Sequence, residues 1–332
     1  MGAIETQGLE RTFGSGDRAL RAVDGIDLNV ESGECYGFLG PNGAGKTTTV
    51  RMLVTLLRPT GGRATVAGFD VASEPGKVRS KIGVALQEAA LDMLMTGREL
   101  MELQATLHGI PPRDVRDRAQ DLIERVGLSQ AQNRRVGTYS GGMRRRLDLA
   151  MALIHTPEVL FLDEPTTGLD PTSRVTLWEE VRRLKDEGTT VFLTTQYLEE
   201  ADQLADRVGI ISAGRIVAEG TPAVLKSEVG KPHLDISLAD GDADHDLAHA
   251  ETLLAQFGAV RPPGKDCHLS VTVERGAAEI AGVVRALDGA GFQVASLDLH
   301  EPTLDDVFLA KTGGHLEGAD EAAPEPEPEP AA

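Results

Sequence analysis

"GFLGPNGAGKTTTV", residues 37–50, decides the fold. The apolar run "ECYGFLG" (Glu34 to Gly40) enters a glycine-rich turn, and "TTVRMLVTLL" (Thr48 to Leu57) leaves it with helical spacing. The turn matches G-x-x-x-x-G-K-[ST] directly after a strand and before a helix, the context in which that pattern cradles phosphate. Glycines let main-chain N–H groups converge on phosphate oxygens, and the helix N-terminus adds its positive end. Gly40, Pro41, Asn42, Gly43, Ala44 and Gly45 are therefore the candidate nucleotide loop, with Lys46 as a point charge for the outer phosphates and Thr48 in the following turn. Thr47 places a hydroxyl where Mg²⁺ is expected.

The complement of that loop is "VLFLDEP" (Val159 to Pro165). An apolar strand ending in Asp163 can present a carboxylate to the metal shell, and the adjacent Glu164 can orient and deprotonate an attacking water. Two acids at a strand end can also be a solvated turn, but behind a phosphate loop the pair predicts a hydrolase. "YSGGMRRRLDLAMAL" (Tyr139 to Leu153) precedes this strand. Ser140, Gly141, Gly142 and Met143 open a helix whose N–H groups, with the Ser hydroxyl, form a second anion-binding end. Arg144, Arg145 and Arg146 place three positive charges in its first turns, which costs macrodipole energy unless a triphosphate or nearby carboxylates offset it.

The chain has 332 residues, 41% of them apolar, which fits about two domains. Thirty-three basic against 52 acidic residues give a formal charge of -19, so the chain as a whole repels nucleic acid and anionic headgroups. Aromatics at 4% argue against a stacking surface for single strands. Cys35 and Cys267 fit no metal or redox spacing and are expected as reduced thiols. No apolar run reaches the roughly 18 residues that span a bilayer, and "MGAIETQGLE" lacks the features of a leader. Any membrane role is therefore expected to come through a partner.

From residue 4 to about 228, short β-branched runs alternate with helical patterns, predicting an α/β domain. Strands are expected at "ECYGFLG", "KIGVALQ" (Lys81 to Gln87), "EVLFLDE" (Glu158 to Glu164), "TTVFLTT" (Thr189 to Thr195) and "RVGIISAG" (Arg207 to Gly214). A charged, helix-spaced stretch with a "GIPP" break reads as a helical subdomain, about residues 88–150, inserted between strands. Residues 231–313 give a strand, helix, strand, helix, strand order, hence a small C-terminal α+β domain for which a ferredoxin-like arrangement is one solution. Residues 314–332 end in "EAAPEPEPEP", whose alternating Pro and Glu predict disorder.

The glycine-rich loop, "SGGM", "LFLDEPTTGLD" and Gln87 after its strand, in this order, resemble ATP-binding cassette (ABC) proteins. Within that family "TTQYLEEADQLADR" and "PTLDDVFLAKTG" (Pro302 to Gly313) resemble the ATPase subunits of daunorubicin-resistance-type drug exporters. The resemblance implies a P-loop NTPase fold with two chains head to tail, the signature of one closing on ATP and Mg²⁺ held by the other. It implies a separate integral-membrane permease, and a chain that is a poor ATPase alone. It further implies that Gln87 touches metal and water, that Asp170 links the two sites across the dimer, and that an aromatic, for which Phe13 is the candidate, stacks on adenine. "RTFGSG" is a looser match there, and a core or surface Phe is the competing reading.

Most of the family has His where this chain has Gln196. An amide keeps a donor for the γ-phosphate and gives up titration near neutral pH, which leaves Glu164 as the base and Lys46 and Gln196 as charge-stabilising partners. The expected function is ATP hydrolysis that powers efflux of an amphipathic, anthracycline-like drug. The alternatives are a soluble ABC ATPase with a non-transport partner and a slow-turnover ATP-binding switch. In the C-terminal domain, Leu304, Val307 and Phe308 at i, i+3 and i+4 predict a stripe that docks on the cassette or on a second subunit.

Overall fold

The structure, a computed structural model, describes residues 2–16, 19–86, 91–238, 247–261, 268–274 and 276–313. Two compact units divide the chain, one reaching Pro222 and the other running from Ala223 to Ala310. In the first, β1 (Ile4–Phe13) and β2 (Leu20–Val30) precede β3 (Cys35–Leu39) and α1 (Lys46–Leu53). Then come β4 (Gly61–Val66), β5 (Phe69–Asp70), α2 (Pro75–Lys81) and β6 (Ile82–Ala85). Three helices follow, α3 (Gly97–Leu107), α4 (Val115–Arg125) and α5 (Gly141–Ala152), before β7 (Val159–Asp163) and α6 (Pro171–Asp186). The unit ends with β8 (Thr190–Thr195), α7 (Leu198–Leu204), β9 (Arg207–Ser212) and β10 (Arg215–Gly220), and α8 (Pro222–Val229) leads out of it.

Five strands, in the order β9-β3-β8-β7-β6, run parallel, and β10 adds an antiparallel edge. Their sequences are apolar throughout because both faces are covered. In β7, Val159 and Phe161 point into one core while Leu160 and Leu162 point into the other, as the two-residue period of a strand requires. Phe192 of β8 centres the first of these cores, with Tyr36, Phe38 and Phe161 at ring separations of 5.7, 5.5 and 5.6 Å. The second sheet, β2-β1-β4-β5, is antiparallel, and its outer positions are polar and exposed in alternation.

Parallel pairing has a direct consequence for the site. Leu39 lies beside Thr195, Asp163 beside Thr194 and Ala85 beside Leu162, so the C-terminal ends of β3, β8, β7 and β6 share one edge. The loops that leave this edge carry the candidate phosphate-binding residues, Glu164 and Gln196, and this is the edge at which ligands bind in sheets of this kind. The segment after β6 that begins with Gln87 lies outside the described residues.

The second unit contains β11 (His233–Leu238), α9 (Leu247–Leu254), β12 (Val260–Arg261), β13 (His268–Thr272), α10 (Ala277–Gly289) and β14 (Val294–His300), and α11 (Leu304–Thr312) follows. The all-antiparallel order β12-β13-β11-β14 is the ferredoxin-like arrangement, completed by the two-residue β12 that the sequence pattern does not reveal. Leu304, Val307 and Phe308 are buried within the single chain, so this stripe is not a free face for a second copy.

Among the described residues no helix is long and apolar enough to cross a membrane. Cys35 is fully buried, and burial pushes its thiol up to about 12, which makes it inert as a nucleophile. Cys267 and the Pro/Glu tail lie outside the described residues.

Candidate functional site

The loop between β3 and α1 owes its shape to contacts that exclude side chains. A Cβ on Gly45, at φ 111°, would lie 2.4 Å from the Ala22 carbonyl oxygen, and one on Gly40 would lie 2.4 Å from that of Ile211. Ala44 N donates to Pro41 O at 3.2 Å, closing the turn, while Asn42 and Gly43 stay exposed at its tip. Thr49 Oγ1 donates to Gly45 O at 3.0 Å, and Thr48 is half-buried beside it. Lys46 is buried, and its ammonium donates to Gly40 O at 2.7 Å and Pro41 O at 3.1 Å. It also forms an ion pair with Glu164 Oε1 at 3.2 Å, so the loop lysine and the candidate base meet directly.

Asp163 ends β7 with its carboxylate 1% exposed. Its Oδ1 accepts from Thr194 Oγ1 at 2.5 Å and from Thr47 Oγ1 at 3.4 Å, while Oδ2 is buried with no hydrogen-bond partner. An unpartnered buried carboxylate oxygen is costly, and next to a Thr hydroxyl it forms a hard-oxygen pair suited to Mg²⁺. Among the described residues no group of three or more His, Cys, Asp or Glu could hold a metal. A metal here therefore needs phosphate oxygens to complete its shell, which is how Mg²⁺ is usually held with nucleotides.

Glu164 has φ 48°, a left-handed conformation unfavourable for a side chain with a Cβ. Its N–H donates to Thr194 O at 3.0 Å and lies 3.1 Å from Thr194 Oγ1, fixing it to β8. Thr194 thus serves both acids, a role the sequence did not announce. Gln196, two residues on, is half-buried between β8 and α7. Below it Glu200 is fully buried and accepts from Trp178 Nε1 at 3.2 Å; burial pushes its pKa up. Thr194 is not visible as a site residue without the pairing of β7 with β8.

Ser140 is the N-cap of α5, its Oγ accepting from Met143 N at 3.2 Å. Gly141 is exposed and helps to line a cavity of about 290 Å³ shared with Arg144 and Glu164. Gly142 is buried because a Cβ there would lie 2.7 Å from Ser173 Oγ. That Ser173 belongs to the cap of α6, where Asp170 accepts from Ser173 N at 3.0 Å and Ser173 Oγ at 2.6 Å. The Ser173 hydrogen bonds hold the Asp170 carboxyl below its usual range.

Of the three arginines, Arg144 lines the cavity with Glu164, and Arg145 has the Asp148 carboxylate 3.5 Å from its Nη1. Arg145 and Arg146 turn to main-chain carbonyls, Arg146 Nη1 to Val126 O at 3.0 Å, and Arg145 to three of them. Phe13, at the end of β1, is 38% exposed, and the Arg11 guanidinium lies 4.6 Å from its ring centroid.

The geometry has counterparts among known proteins. The sequence profile of the family described as "ABC transporter" matches residues 23–167. The daunorubicin resistance ATP-binding protein DrrA3 of Streptomyces coeruleorubidus is 50% identical over 94% of this chain and 96% of its own. The daunorubicin/doxorubicin resistance ATP-binding protein DrrA of Streptomyces peucetius is 49% identical over 94% and 92%. Among solved structures, an ATP-binding cassette seen as a dimer in a post-hydrolysis state with ADP and Pi aligns with TM-score 0.61 at 25% identity, covering 66% of this chain and 98% of that one.

Proposed function

The chain belongs to the ATP-binding cassette transporter family as one of its ATP-binding subunits, and on that premise we propose that two copies close head to tail around two ATP to drive export through a separate membrane permease. It hydrolyses ATP with Mg²⁺ and is the ATPase component of a drug-resistance exporter. The observation that carries the site assignment is the junction of Lys46, Glu164 and Asp163 at one sheet edge, with Asp163 Oδ2 left unpartnered.

In this reading the loop from Gly40 to Thr48 and Lys46 hold the phosphates, with the Lys46 ammonium neutralising charge on the outer ones. Thr47 and Asp163 Oδ2 would hold Mg²⁺, with Gln87 as the remaining candidate ligand, and the ion would supply charge neutralisation for the phosphate oxygens. Glu164 accepts a proton from the attacking water as its oxygen bonds to the γ-phosphorus and the bond to the ADP oxygen breaks. Gln196 donates an amide N–H to the γ-phosphate. Ser140, Gly141, Gly142 and Met143 present the α5 N-terminus to the nucleotide of the other copy, Asp170 borders that interface, and Phe13 stacks on adenine.

Surfaces a permease partner could cover include Leu94 and Leu107 of the helical insertion, 76% and 72% exposed. Another is a groove of about 440 Å³ beside the edge strand β6, lined by residues that include Leu56, Leu86, Gln104 and Met151. Such a partner places the chain at the cytoplasmic face of the membrane. The cargo is an amphipathic, anthracycline-like drug, by analogy with the relatives' names.

Co-purification of the full chain from its native membranes tests the assembly. A multispanning membrane protein recovered with it, and faster phosphate release in its presence, is the expected result. Recovery with ribosomes or DNA instead would overturn the export reading.

A further inference from the structure

Arg145 bridges α5 to the C-terminal ends of β7 and β6. Its Nε donates to Pro165 O at 3.0 Å, Nη2 to Asp163 O at 2.8 Å and Nη1 to Leu86 O at 2.5 Å. Asp148, one turn further along α5, approaches the same Nη1 at 3.5 Å and turns the guanidinium toward the sheet. The Arg145 side chain is only 10% exposed. Two of the three carbonyls belong to the residues either side of Glu164.

Glu164 needs such a frame because its own backbone is left-handed at φ 48°. A strained conformation persists only where its surroundings over-determine it. From one side β8 holds it, through the bonds from Glu164 N to Thr194. Arg145 engages the carbonyls of both residues that flank it, Asp163 and Pro165. The third bond, to Leu86 O, reaches the residue before Gln87.

We infer that Arg145 is a positioning residue for hydrolysis: its planar fork clamps the main chain on both sides of Glu164, and ties the glycine-led signature helix to the base and to the root of the Gln87 segment. Four of its five N–H donors are engaged in these contacts, which leaves at most one for a phosphate. A lysine cannot substitute, because a single ammonium cannot reach three carbonyls spread over two strand ends. A 1 Å displacement of a reacting group is enough to cost large factors in rate, which is the effect the clamp prevents.

The inference rests on Glu164 as the base, and the test separates the two. Turnover and ATP affinity are measured on the full chain, with its permease where required, for wild type, R145K, R145Q and E164Q. The expected result is a fall in kcat of about tenfold or more in R145K and R145Q, with ATP affinity within about threefold of wild type. Combined with E164Q, neither change should lower the residual rate further, because both act through one group. If E164Q is inactive while R145K keeps wild-type kcat, the inference is wrong and the base stands. If both Arg145 variants lose ATP binding in step with kcat, or their losses add to that of E164Q, Arg145 only supports the fold. If E164Q itself keeps the wild-type rate, it is the base assignment that fails.

Discussion

Lys46 Nζ lies 3.2 Å from Glu164 Oε1, with both side chains buried. A lysine ammonium has three N–H donors, and here they meet Glu164 and the carbonyls of Gly40 and Pro41. A phosphate taking Lys46 must therefore compete with the carboxylate proposed as the proton acceptor. Removing the Glu164 charge removes the competitor as well as the base. Glu164→Gln is expected to lower turnover by about a hundredfold or more while ATP binds as tightly as to wild type or severalfold tighter. Equilibrium binding of ATP beside phosphate release checks this, and weaker binding in the variant would contradict it.

Thr194 is the hinge between the two acids, bonded through Oγ1 to Asp163 Oδ1 and near Glu164 N. Thr194→Val keeps the shape and leaves Asp163 Oδ1 with only the longer 3.4 Å bond from Thr47 Oγ1, a loss of about 1–3 kcal/mol for a buried charged acceptor. The Mg²⁺ concentration for half-maximal hydrolysis is expected to shift severalfold and the melting temperature to fall. An unchanged Mg²⁺ dependence would show that Asp163 is oriented by something else.

Gln196 offers a donor that does not titrate. Gln196→Ala should lower kcat by about tenfold, less than loss of the base, because one phosphate donor goes while the rest of the site remains. Gln196→His introduces a group with an ordinary pKa of about 6.5, and should add a limb near that pH to the kcat profile. Wild-type activity in Gln196→Ala would remove the donor role.

Asp148 has its carboxyl pushed up to about 6, chiefly by burial, with Arg145 pulling the other way. Its folded-state value lies above the unfolded one, so the folded chain holds this proton more tightly between about pH 4 and 6. Ionisation of the buried group then lowers stability progressively across that window, and the cost stays constant above it. Asp148→Asn should gain on wild type by on the order of 2 kcal/mol more at pH 7.5 than at pH 4.5 in denaturant titrations. An equal difference at both pH values would refute the shift.

Local patterns carried most of the reading. Strand, glycine turn and helix follow each other within residues 34–57, and β7 ends in its two acids, so both halves of the site are visible in short windows. The clamp of Arg145 is not, because its acceptors are main-chain oxygens of residues 18, 20 and 59 positions away. A charge near a helix start reads only as a dipole penalty until those neighbours are known. β1 and β2 are blurred by register shifts that interrupt alternation, and two residues of β12 are too few to show a period. The place of Glu164 at the end of β7 was legible; its left-handed backbone was not, since nothing in the residue type announces it.

The central claim is that the chain hydrolyses ATP through Glu164 only when a second copy completes the site. Phosphate release per chain, measured against chain concentration with saturating MgATP, tests it most directly. The account predicts a specific activity that rises with concentration, saturates, and is lost in Glu164→Gln. A specific activity independent of concentration, or one that survives in Glu164→Gln, would contradict it.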